Sequence, residues 1–175
     1  MGNAHQPELW RDVYVMLGTS VATLVGLLFV VTSLHLDEII NNAVYRVRAR
    51  NNMFYLLSLL VEATVILIPQ PMSVLGAELI AINLILLQFH LRNVYKFHYK
   101  NRDMGIRGGF SVYAGISFIV SDLLGIGGGA FLVDWSNWGL YLVTASYVTL
   151  LISVALNAWA IMLGVGQSEK RTKAN

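Results

Sequence analysis

MFYLLSLLVEATVILIPQPMSVLGAELIAINLILLQFHL, residues 53–91, decides the fold. Two apolar runs, Met53–Ile68 and Ser73–Leu91, flank Pro69-Gln70-Pro71. Two prolines so close cannot continue a helix, and each pushes the residue before it toward extended backbone. The second run approaches the ~20 residues that cross a bilayer, and the first is near the ~17-residue minimum. Their apolar character is continuous, whereas a membrane barrel strand alternates. The stretch therefore predicts two membrane helices joined by a tight turn.

Three further runs extend the pattern: 14–36 before this hairpin, and 110–132 and 138–163 after it. Asp134-Trp135-Ser136-Asn137 makes the second short turn. The expectation is an all-α bundle of five transmembrane helices in one domain, 1–175. Composition agrees. Hydrophobic residues make up 56% and charged residues 13%, against roughly 25% charged in a soluble domain. Mean hydropathy is +0.61. A soluble globular domain and a disordered chain are both excluded. The chain has no cysteine, which excludes disulfides and thiolate metal ligands.

The basic residues set orientation. Arg11 precedes the first run. Arg46, Arg48 and Arg50 follow it; Arg92, Lys96, Lys100, Arg102 and Arg107 follow the third; Lys170, Arg171 and Lys173 follow the fifth. The two short turns carry none. If five spans alternate, every Lys and Arg but Arg11 falls on one side, which the positive-inside rule makes cytoplasmic. The N-terminus is then outside and the C-terminus inside. The net charge of +2 is thus explained by topology, and no nucleic-acid partner is expected. The basic 92–107 loop is expected to attract anionic lipid. The first run is too long for a signal-peptide core and reads as a retained span. Gln6 stands where a myristoylation signal prefers Ser or Thr, so lipidation is not expected.

Trp10, Tyr14, Trp135, Trp138 and Tyr141 are expected at the outer interface. Tyr95, Phe97, Tyr99 and Trp159 are expected at the inner one. Leu36, Ile39, Ile40, Ala43, Val44 and Val47 recur at helical spacing. They predict either a helix on the inner surface or an extension of the first span.

Three carboxylates lie inside apolar runs: Glu62, Glu78 and Asp122. An ionisable group in a span is costly and by default a functional hypothesis. Glu62 and Glu78 are each seven residues from the proline turn, so both should lie about 10 Å below it. If the helices pack as a hairpin, the two acids could approach each other and share a proton or a cation. Gln88, Ser153 and Asn157 would be polar lining. The plain alternative is a set of neutral acids satisfied by neighbours. Asp122 precedes Gly125-Ile126-Gly127-Gly128-Gly129, a run that weakens a helix. The fourth span is therefore expected to end there, with Asp122 near the outer interface. A discontinuous helix at a binding site is the other reading.

His35 and His90 each stand toward the end of a run. They read as interfacial hydrogen-bonding residues, with axial ligation of a haem b as the alternative. Neither a metal site nor a covalent haem motif is present in the sequence. Gly18, Ala22 and Gly26 form a small-residue face that permits close helix contact within or between subunits.

The runs VGLLFVVTSLHLDEI (25–39) and VALNAWAIMLG (154–164), with the Pro-Gln-Pro turn, resemble segments of small uncharacterised bacterial integral membrane proteins. The resemblance implies a bacterial inner membrane and transfers no activity and no site residue.

The leading functional expectation is a small homo-oligomeric channel or transporter for a proton or small cation. A non-catalytic assembly protein and a haem-bearing redox protein are the alternatives. No nucleophile–base pair points to an enzyme, and no cofactor is expected on the leading reading.

Overall fold

The computed structural model describes residues 7–95, 109–134, 136 and 138–174. Its six helices are α1 (Pro7–Leu34), α2 (Leu36–Asn41), α3 (Ala43–Leu67), α4 (Met72–Tyr95), α5 (Gly109–Val133) and α6 (Gly139–Ala174). No strand occurs among the described residues. Four segments are long and apolar enough to cross a membrane: Trp10–Leu34, Met72–Tyr95, Gly115–Val133 and Gly139–Ala160. Large apolar side chains such as Met16, Phe29, Ile85, Leu123 and Trp159 stand exposed on them, which suits hydrocarbon and not water. The chain is an all-α, multi-pass membrane protein.

Local chemistry sets the helix boundaries. Pro7 opens α1, where a missing N–H costs nothing. At the Pro69-Gln70-Pro71 turn, the Pro71 carbonyl accepts from the N–H groups of Val74 and Leu75, each at 3.0 Å, and so starts α4. Asn42 caps α3, its Oδ1 accepting from Tyr45 N–H at 3.4 Å. The segment after α1 is neither one surface helix nor a simple extension. It breaks at His35, forms the six-residue α2, and breaks again at Asn42. Arg46, Arg48 and Arg50 therefore sit on the first turns of α3, the helix that carries the 53–67 apolar run.

The glycine-rich run does not end α5, contrary to expectation. The helix continues through it to Val133. Close packing on both sides explains this. A Cβ on Gly129 would lie 2.7 Å from the Gly76 carbonyl of α4, and one on Gly125 would overlap the Asn83 side chain. A Cβ on Gly128 would lie 2.9 Å from the Gly139 carbonyl of α6. Contacts with two neighbours offset the backbone entropy these glycines cost. Of the expected small-residue face on α1, only Gly18 packs within the chain, against Ala63 of α3. Ala22 and Gly26 are exposed.

The apolar core joins α1, α3, α4, α5 and α6 through Tyr14, Val21, Leu56, Leu59, Leu79, Leu132, Tyr147 and Val154. Of the basic loop, residues from Lys96 to Arg107 lie outside the described residues, as do Phe97, Tyr99 and Trp135.

Candidate functional site: a buried polar line

Along α4, Gly76, Leu79, Asn83, Leu86 and His90 are all buried. Their alternating spacing of three and four residues makes one seam. That seam faces α5, and it carries two polar side chains into the interior.

His90 meets Asp122. The Nδ1 of His90 is paired with Oδ2 of Asp122, and the two side chains are 1% and 0% exposed. The expectation that the fourth span ends at the glycine run just past Asp122 is overturned, because α5 runs on to Val133 and Asp122 is fully buried. Aromatic rings enclose the pair. Phe118 stacks on the His90 ring with centroids 5.2 Å apart, and Tyr55 meets it edge-on at 4.7 Å. Two polar atoms of the pair, His90 Nε2 and Asp122 Oδ1, are buried with no hydrogen-bond partner among the described residues.

Asn83 meets Glu62. Its Nδ2 donates to Glu62 Oε1 at 3.0 Å and to the Leu79 carbonyl at 2.9 Å. Glu62 is 3% exposed. It lies within electrostatic range of Asp122, Tyr14 and Tyr147. The Tyr147 hydroxyl is a third buried polar atom without a partner among the described residues. The Tyr14 hydroxyl bonds Thr144 Oγ1 at 2.9 Å. Above Tyr14 a cavity of about 250 Å³ opens between Trp10, Arg11, Pro69 and Gln70.

Toward the other end, Asn157 of α6 donates to Asn52 of α3, and both are buried. Ser121 and Ser146 bond reciprocally across α5 and α6, each hydroxyl donating to the other's carbonyl at 2.8 and 2.7 Å. Buried polar groups thus run from Tyr14 through Glu62 and Asp122–His90 to Asn52–Asn157. They are contributed by all five long helices.

Several sequence expectations are placed differently. Glu62 and Glu78 are not brought together. Glu78 is exposed and accepts from Gln70 Nε2 at 2.8 Å, so it fastens the proline turn. It stands about 100° round the helix from Leu79 in the buried seam, on a face the helix leaves exposed. Gln88 is exposed. Ser153 is buried but donates to Thr149 on its own helix. Asn157 is part of the interior line. His90 is buried and hydrogen-bonded to Asp122, and His35 is half-buried at the α1–α2 break. No group of three or more His, Cys, Asp or Glu gathers as a metal site among the described residues.

Sequence reasoning missed Asn83 and Asn52, and the pairing of His90 with Asp122. The signal was the α4 seam itself, in which Asn83 and His90 replace apolar residues at positions seven apart. Compared with protein-family models, with curated proteins and with solved structures, the chain matches none.

Proposed function

We propose that this protein moves protons across a membrane, with Glu62 and the Asp122–His90 pair as the groups that hold and pass them. The carrying observation is the pair itself: an acid and an imidazole, fully buried in the seam of two apolar helices. An isolated charge there would be costly, and such groups in spans mark ion pathways and proton relays. Imidazole takes a proton at one nitrogen and releases it at the other. His90 holds Asp122 through Nδ1 and keeps Nε2 for the next donor or acceptor. Glu62 and the Tyr147 hydroxyl supply proton-bearing groups on the side of the Tyr14 cavity.

A proton fits this line better than a metal cation. A bare cation in a dry interior needs several converging oxygens. Here each carboxylate already accepts from a neighbouring side chain, Glu62 from Asn83 and Asp122 from His90. The two acids also belong to separate layers of the line.

In this reading α3 is a fifth span through residues 53–67, joining the four apolar helices. The arginines on its first turns then face the cytoplasm. The N-terminus lies outside, and the proline turn and the 134–138 turn lie on the outer face. The bacterial inner membrane follows from the sequence resemblance. The haem alternative requires His35 and His90 to face one porphyrin, yet they belong to the α1–α2 break and the α4–α5 seam.

Purified protein in liposomes tests the reading under an imposed pH gradient and a membrane potential. Proton flux is expected in the parent and lost in Asp122→Asn and His90→Gln variants of unchanged helix content. Equal flux in the parent and both variants, or none in any, overturns it.

A further inference from the structure

A second cavity, of about 390 Å³, lies between α1, α2, α3 and α6. Leu24, Leu28, Val31, Leu56, Val154 and Ala158 line it. Leu27, Trp159 and Met162 stand exposed at its rim, so it opens sideways toward the surrounding lipid. An apolar cavity of this kind stays dry and takes an apolar occupant. At a membrane-facing opening that occupant is hydrocarbon.

The end of the groove is charged. Ile39 of α2 and Ala49 of α3 line it there and pack together. Beside them Arg46 donates from Nη1 to the Ile40 carbonyl at 3.1 Å, at the C-terminal end of α2. Arg50 follows one turn later, and both side chains are exposed; Arg48 is half-buried on another face of the helix. Among the described side chains of α2 the acid is Asp37, exposed on its first turn. Arg46 and Arg50, one turn apart on α3 beside this end of the apolar groove, complement an acyl chain carrying a negative headgroup. Arginine grips a phosphate through paired N–H donors.

We propose that this groove is a binding site for one anionic phospholipid, its acyl chain between α1 and α6 and its headgroup at Arg46 and Arg50. None of its residues comes from the basic 92–107 segment. It rests on the membrane reading alone and not on proton movement, so failure of either leaves the other standing.

Trp159 lines the groove and gives the readout. A variant with Trp10→Phe, Trp135→Phe and Trp138→Phe keeps it as the sole tryptophan. This protein is placed in phosphatidylcholine vesicles containing a fixed fraction of brominated phosphatidylglycerol or, separately, brominated phosphatidylcholine. Bromine quenches tryptophan on contact. The phosphatidylglycerol is expected to be selected about five-fold over its mole fraction, the advantage of one well-placed arginine at a membrane surface. Arg46→Gln should remove the preference, and Arg46→Lys should retain most of it. Ala155→Leu, which narrows the groove, should lower quenching by both lipids. Equal quenching by the two headgroups in the parent, or a preference unchanged in Arg46→Gln, overturns the proposal.

Discussion

Asp122 and His90 show how two costly side chains become one tolerable unit. Each alone would leave a buried polar or charged group without compensation. Together they satisfy one atom apiece, and the aromatic rings of Phe118 and Tyr55 exclude water from around them. Removing one partner of a buried pair typically costs about 3–5 kcal/mol. Asp122→Ala is therefore expected to destabilise the protein by about that amount in detergent unfolding. His90→Phe beside it should recover part of the loss, because the two sites are coupled. Additive losses in the double variant would mean the pair is not the unit described. Glu78→Gln, by contrast, touches only the Gln70 contact at the turn. It should change stability by less than about 1 kcal/mol, as expected of an exposed polar contact.

The α4–α5 packing shows what could be read in advance and what could not. That residues 53–91 fold as two helices joined by a turn follows from two prolines and continuous hydropathy. That α5 survives Gly125, Gly127, Gly128 and Gly129 does not, because a glycine's local effect is to weaken a helix. The tertiary contacts decide it, and they involve residues distant in sequence. The two readings separate experimentally. Gly129→Ala would press on the Gly76 carbonyl at 2.7 Å, and overpacking of this kind costs about 1–3 kcal/mol. Gly127 has nothing within 4 Å of its absent Cβ. Gly127→Ala should be neutral or stabilising by up to about 1 kcal/mol, the helix-propensity gain. Thermal unfolding of the two variants, side by side, checks this. Equal destabilisation would mean the run weakens α5 rather than fitting it to its neighbours.

That Glu78 and Gln88 stand exposed on α4 was not legible for a similar reason. Distance along the helix gave Glu78 the same depth as Glu62. Depth does not give direction, and the face toward α5 was marked instead by Gly76, Leu79, Asn83, Leu86 and His90. Glu62, Asp122 and Asn157 were legible because a polar residue in an apolar run is conspicuous. Their partners were not, because pairing depends on how far α4 slides along α5. The Gly76–Gly129 contact at one end and His90–Asp122 further along fix that slide.

Taken together, the helices enclose an apolar core crossed by a line of buried polar groups, with the arginines of α3 at one end and the proline turn at the other. The proposed topology can be mapped because the chain contains no cysteine. A single Ser136→Cys should react with an impermeant maleimide added outside intact cells, whereas Ser168→Cys should react only after the membrane is opened. Both reacting from the same side would contradict the five-span arrangement.

The central claim is that protons follow the buried line and not merely any acid in a span. It is tested most directly by proton flux in liposomes for Glu62→Gln against Glu78→Gln, each inserted at equal density. The two acids lie equally far from the same turn, but only Glu62 faces the interior. Flux lost in Glu62→Gln and kept at the parent level in Glu78→Gln is the predicted result. Flux kept in Glu62→Gln, or lost equally in both, would contradict the path proposed through this structure.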